Sequence, residues 1–292
     1  MTDGDRVFRQ IQNRARSDGA REGRPTPTAE YLTRHALESF LDRLTRTEHA
    51  TKFVLKGGIL LAVYGIRRPT RDVDAEAINM AATPALISDI VRDVAAVEVA
   101  DGVWFDLATT SVQEIRDEST YPGLRMRVVS HIGPQKVVTA WDVSTGDPII
   151  PPPGRVRVPR ILGEDIEILG YTPETAVAEK GVTILERGIT STRWRDYIDI
   201  VQLAEHHHID EDQLFESAQA VARYRGIELG PITPVTAGYG AVGQTKWAAW
   251  RRKHGLEDIS EAALDTQMTK VAQVLDPAFS QADTDGDAQA PP

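Results

Sequence analysis

Hydrophobic spacing along the chain alternates between helical and strand-like periods, and the changes outline an order of elements. From Thr28 to about Thr47, Tyr31, Leu32, Ala36, Leu37, Phe40, Leu41 and Leu44 recur at helical spacing and predict an amphipathic helix. Residues 1–27 are polar and Arg-rich, with weak helical spacing from Val7 through Ile11, and predict a short helix and a linker. Phe53-Val54-Leu55 is a short buried strand, broken by Gly57-Gly58 before Ile59–Tyr64 resumes as helix. Val73 to Ile78 alternates as a strand, and Pro84 to Val97 is an amphipathic helix opening on proline. Val103–Leu107, Val112–Ile115, Leu124–Val129 and Lys136–Val143 are runs of β-formers punctuated by Gly, Pro, Asp and Ser, as in a mixed sheet.

Residues 147–160 are Pro-rich and mark a boundary or a rigid crossover. Beyond Thr172 the pattern is helical: Pro173–Arg187, Trp194–His206, Glu211–Tyr224, Trp247–Lys253 and Ser260–Leu275. The expected organisation is α+β: a domain over 1–150 with N-terminal helices and a mixed sheet, a helical domain over 151–275, and a disordered acidic tail over 276–292. A cleft between the halves is the default place for chemistry.

Composition narrows the chemistry. The 292 residues contain no cysteine, which excludes disulfides and thiolate metal sites. The apolar runs fall far short of the ~20 residues of a membrane span, and the N-terminus has no signal-like stretch, so no membrane partner and a cytoplasmic address are expected. The net charge of −10, part of it in the tail acids Asp276, Asp283, Asp285 and Asp287, disfavours broad polyanion binding. A nucleic-acid end would have to meet a local cluster such as Arg67, Arg68 and Arg71.

Against this background Thr70-Arg71-Asp72-Val73-Asp74 stands out. Residues i and i+2 of a strand share a face, so Asp72 and Asp74 project together, ~6–7 Å apart, and repel. A divalent cation resolves that conflict, and hard oxygen donors suit Mg²⁺ bound together with substrate phosphates. An isolated Asp pair at a strand end is common without any ion. Upstream, Lys56-Gly57-Gly58 joins a strand to a helix, a turn in which backbone N–H groups can approach a phosphate; a tight turn needs the same glycines. Asp142 falls inside the β-forming run Val137–Val143, where an acid needs a partner, either the same metal or a backbone hydrogen bond; Asp106 is its rival.

In the helical half, Lys180, Thr183 and Arg187 share one face, and Lys180 would suit a triphosphate clamp if it were not simply an exposed lysine. Arg195 and Asp199 lie one turn apart, as an ordinary ion pair or as groups that orient Lys180 or touch base or sugar. His206–His208 cannot converge on one ion from a helix, so helix-end cations are expected there. Trp247–Arg252 is expected to be a packed helix with a basic edge.

In order, Tyr31–Leu41, Phe53-Val-Leu-Lys-Gly-Gly58, Thr70–Asp74, Glu179-Lys180 and Arg195–Asp199 resemble the AbiEii/AbiGii-type nucleotidyltransferase toxins of toxin–antitoxin systems, the MenT-type toxins included. The resemblance spans roughly residues 5–205; the family's hydrophobic-acidic continuation of the Asp motif is altered to Ala75-Glu76-Ala77. It implies a DNA polymerase β-like core with a helical C-terminal half. It also implies Asp72, Asp74, Lys180 and Asp199 as catalytic residues, with Asp196 the other candidate for the later acid. Mg²⁺ or Mn²⁺ would sit on Asp72, Asp74 and Asp142, and NTP would meet Lys56, Gly57, Gly58, Arg71, Arg187, Arg195 and Asp196. Related toxins transfer a nucleotide to tRNA 3′ ends and are held inactive by a cognate antitoxin, some through phosphorylation of the hydroxyl two residues before the first Asp, here Thr70. A monomer is expected. Nucleotidylation of a protein or small molecule, and a non-catalytic NTP-binding module, are the competing readings.

Overall fold

The structure is a computed structural model describing residues 2–23, 26–66, 70–115 and 123–281. Arg67, Arg68 and residues 282–292 of the expected tail lie outside the described residues. The chain forms two compact units, one of residues 1–147 and 153–171, the other of residues 148–152 and 172–292.

The first unit opens with α1 (Asp3–Glu22), capped by a reciprocal Thr2–Asp5 box. It is 20 residues long rather than short, because Val7, Ile11 and Ala15, spaced by four, form a buried stripe. Next come α2 (Thr28–Thr45), β1 (Phe53–Lys56), α3 (Gly57–Val63), β2 (Val73–Ala77), α4 (Pro84–Ala96), β3 (Val103–Ile115), β4 (Gly123–Ile132), β5 (Gln135–Thr145), β6 (Gly154–Val158) and β7 (Ile166–Gly170). The seven strands form one sheet in the order β3-β4-β5-β2-β1-β7-β6, with parallel pairs β2–β5 and β1–β7 and the rest antiparallel. The fold class expected from the sequence, a mixed sheet followed by a helical half, is the one observed.

Several expectations are corrected. The two runs in residues 103–115 are one strand, carried past a register shift between Asp106 and Ser111. Residues 154–170, expected in the helical domain, supply β6 and β7, since Leu55 on β1 pairs with Gly170 and draws this hairpin onto the sheet. Residues 276–279, expected in the disordered tail, continue the last helix, where Ala278 and Phe279 are buried.

Helix α2 packs across the sheet. Its Phe40 ring lies 5.2 Å from Trp141 of β5, which meets Phe53 of β1 at 4.6 Å. That layer fixes which face of the sheet is core. Trp141 and Val143 point into it, so the alternation of β5 turns Asp142 to the other face.

The second unit comprises α5 (Pro173–Arg187), α6 (Trp194–His206), α7 (Glu211–Arg225), α8 (Thr233–Thr236), α9 (Tyr239–His254) and α10 (Leu264–Phe279). Helix α10 packs against α6, α7 and α9, and α5 against α6 and α7. The Trp247–Arg252 stretch is packed as expected. Trp247 is fully buried against Trp194 and Trp250, and Arg251 is held by the carbonyls of Glu257 and Ser260. At the end of α6, His206 Nδ1 bonds the Gln202 carbonyl, so these histidines finish a helix.

Candidate active site

Strand register assembles a row of charge across the first unit. Arg125 of β4 stands opposite Asp142 of β5, Asp142 beside Asp74 of β2, and Asp74 opposite Lys56 of β1. Two adjacent anions are thus flanked by two cations. Asp72 precedes β2 by one residue, and one oxygen from each of Asp72, Asp74 and Asp142 lies within 4.8 Å of the others. The period-two expectation for Asp72 and Asp74 therefore holds, and Asp142 joins them. Its rival Asp106 lies on β3, 4.0 Å from His131 Nε2, and is absent from the cluster.

The donor set, all carboxylate oxygen, is the one a hard dication takes. Two further observations fit such an ion. Arg125 already acts as a cation at the cluster, donating from Nε to Asp142 Oδ1 at 2.7 Å and from Nη2 to Oδ2. Its hydrogen bond to Asp142 raises the guanidinium pKa, burial opposes, and the charges of Asp142, Asp72 and Asp74 raise it further. The second observation is the close approach of backbone at Gly57, which is left-handed at φ 65°; a β-carbon there would lie 1.9 Å from Asp74 Oδ2. Glycine is required twice over, by conformation and by the seat it leaves for the carboxylate.

Gly57 and Gly58 are the first residues of α3 rather than a break before it. That helix has only seven residues, so its dipole adds little and the firm role of Gly57 is to seat Asp74. Lys56 Nζ donates to buried Glu76 at 3.1 Å, with Ser144 Oγ donating to the same oxygen at 2.6 Å. Arg71 is exposed next to Asp72. Thr70 is half-buried, its Oγ1 3.2 Å from the Asp72 carbonyl and 3.4 Å from Asp72 Oδ1.

In the second unit, Lys180 donates to Asp196 Oδ1 and, at 3.0 Å, to Asp199 Oδ2. Arg193 Nε donates to the other Asp196 oxygen at 2.7 Å. Both candidates for the later acid hold the lysine. Burial pushes the Asp196 carboxyl up, but the charges of Lys180 and Arg193 overcome it and hold the group well below the usual carboxylate range. Arg195 is exposed. Arg187 is half-buried in the last turn of α5, where a cation suits the dipole. Thr183 accepts from Arg225 and donates to the Glu179 carbonyl, so the face expected for Lys180, Thr183 and Arg187 is partly structural.

Sequence reasoning passed over Arg125 and Arg193. The available signal for Arg125 was period two on β4, where Arg125 and Arg127 alternate with buried Leu124, Met126 and Val128.

Among solved structures, JHP933 of Helicobacter pylori is similar at 14% identity and a TM-score of 0.49, covering 85% of this chain and 91% of that one. A proposed nucleotidyltransferase of the same organism is similar at 14% identity and 0.47, covering 85% and 94%. Both are too distant to carry chemistry across. No curated protein matches the sequence. The chain does match the family of nucleotidyl transferase AbiEii toxins of type IV toxin–antitoxin systems over residues 39–282, a span containing every candidate residue above, and it belongs to that family.

Proposed function

We propose that this chain is a Mg²⁺- or Mn²⁺-dependent toxin that transfers a nucleoside monophosphate from NTP to an RNA 3′ end, that of tRNA, and so blocks translation. It acts in the cytoplasm as a monomer, restrained by a cognate antitoxin. The observation that carries the reading is the convergence of Asp72, Asp74 and Asp142 on one patch of sheet beside Arg125. Among the described residues no helix is long and apolar enough to cross a membrane.

Asp72, Asp74 and Asp142 would hold the dication, which when bound neutralises phosphate charge and polarises the α-phosphorus. The acceptor 3′-hydroxyl gives up its proton to solvent as its oxygen forms a bond to that phosphorus. The bond from phosphorus to the α,β-bridging oxygen breaks, and pyrophosphate leaves with that electron pair. Transfers of this kind need positioning and charge neutralisation more than covalent help. Gly57 keeps Asp74 seated by leaving it room. Lys180 is the group proposed to meet the charge of the leaving pyrophosphate, and Asp196 and Asp199 fix its ammonium. Arg71, Arg187 and Arg195 are proposed nucleotide contacts. Thr70, hydrogen-bonded to Asp72, is the proposed regulatory site: a phosphate there adds about −1.5 to −2 charge beside the acids.

Incubation with each α-labelled NTP and total RNA tests the reading. Label in RNA at its 3′ ends supports it; label in protein or a small molecule, or bound NTP left unreacted, replaces it.

A further inference from the structure

Arg125 has no part in the motifs that resemble the family, yet its guanidinium engages the acid cluster directly. It sits directly across the antiparallel β4–β5 ladder from Asp142, and its fork occupies both oxygens of that carboxylate. Its side chain is 37% exposed, so water and ions reach the guanidinium. Asp72, Asp74 and Asp142 carry −3 between them, and the guanidinium of Arg125 offsets one of those charges at Asp142. Each Asp142 oxygen keeps a lone pair beyond the guanidinium, enough to share one ion with Asp72 and Asp74. A second dication on Asp142 would have to displace the bidentate guanidinium or lie against it, and both cost binding energy.

Resting on the reading of these acids as a metal site, we propose that Arg125 stands in for a second dication. It holds Asp142 so that the cluster takes one divalent ion, and it excludes another. The guanidinium is a fixed cation that cannot diffuse away and stays charged at any working pH. The ion-free cluster is consequently never without a counter-charge, and the affinity for the single ion is lower than three bare carboxylates would give.

Calorimetric titration of the nucleotide-free full chain with Mn²⁺, with Mn²⁺ paramagnetic resonance in parallel, tests this without reference to activity. Wild type is expected to bind one ion per chain. Arg125→Gln is expected to bind the first ion at least about tenfold more tightly and to gain a second site. Arg125→Lys keeps the charge without the fork and is expected to stay near wild type in the first affinity. Circular dichroism establishes that each variant is folded. Two ions bound by wild type, or unchanged number and affinity in Arg125→Gln, would overturn the proposal while leaving the metal site standing. No ion bound by folded wild type would overturn the proposal together with the metal reading beneath it.

Discussion

Asp74 and Asp142 face each other in register across the parallel strands β2 and β5, and each is only half-buried on the face away from Trp141. Like charges placed directly across a ladder destabilise a sheet by a few tenths to about 1 kcal/mol. Flanking by Arg125 and Lys56 offsets part of that repulsion, so the net effect of the pair on stability is small. Neutralising Asp74 should therefore separate stability from function. Asp74→Asn is expected to melt at the wild-type temperature or slightly above it in metal-free buffer, and to lose nucleotide transfer. Thermal denaturation and a labelled-NTP assay on the same sample check both halves.

Gly57 is tied to the same carboxylate. Ala at this position meets a left-handed backbone, costing about 1–2 kcal/mol, and its β-carbon collides with Asp74. Gly57→Ala is expected to lower unfolding free energy by at least that amount in urea titration, with transfer falling more than stability alone explains. Gly23, also left-handed but with open space around it, serves as the control, and Gly23→Ala is expected to leave transfer intact.

Much of this arrangement is legible in the sequence, for reasons particular residues make plain. Asp72 and Asp74 could be paired because strand period is fixed by covalent geometry. Asp142 could be singled out because an acid amid β-formers demands a partner. Helices α5 and α6 were bounded correctly because Pro173 and Trp194 open clean amphipathic patterns. Hairpin β6–β7 was missed, since its short alternation, Arg155-Val156-Arg157-Val158, hides behind prolines and its place on the sheet is a long-range pairing. Arg125 was missed for a similar reason: its partner lies 17 residues away and only strand register brings them together.

Lys180 anchors a partly buried ion group, its side chain 16% exposed and that of Asp199 1%. Lys180→Ala leaves two buried carboxylates without their shared ammonium, a loss on the order of 3–5 kcal/mol. The double variant Lys180→Met with Asp199→Asn is expected to recover most of that stability. Transfer is expected to stay lost in both, which a purely structural role for the Lys180–Asp199 pair would not predict. Urea denaturation of single and double variants beside the transfer assay distinguishes the roles.

Acid should undo the same group. The folded pKa of Asp196 is depressed: burial raises it, but the charges of Lys180 and Arg193 lower it further than burial lifts it. Its stabilising contribution is complete above the ordinary value of 3.8 and declines as pH falls below that toward the folded value. Asp196→Asn is expected to be less stable than wild type at pH 7, with the difference shrinking below about pH 4. Melting temperatures from pH 7 to pH 3 report it.

Thr70 donates toward Asp72, so added charge there acts on the cluster directly. Thr70→Glu is expected to reduce transfer at least about tenfold, while Thr70→Val, which removes the hydroxyl without adding charge, stays within a few-fold of wild type. Equal activity of the two variants would remove Thr70 as a control point.

The most direct test is to measure Mn²⁺ binding and label transfer from α-labelled NTP to RNA 3′ ends in wild type, Asp72→Asn and Asp142→Asn. We expect wild type to bind the ion and label RNA, and both variants to lose the two together while remaining folded. Transfer persisting in a variant that no longer binds the ion would contradict the account.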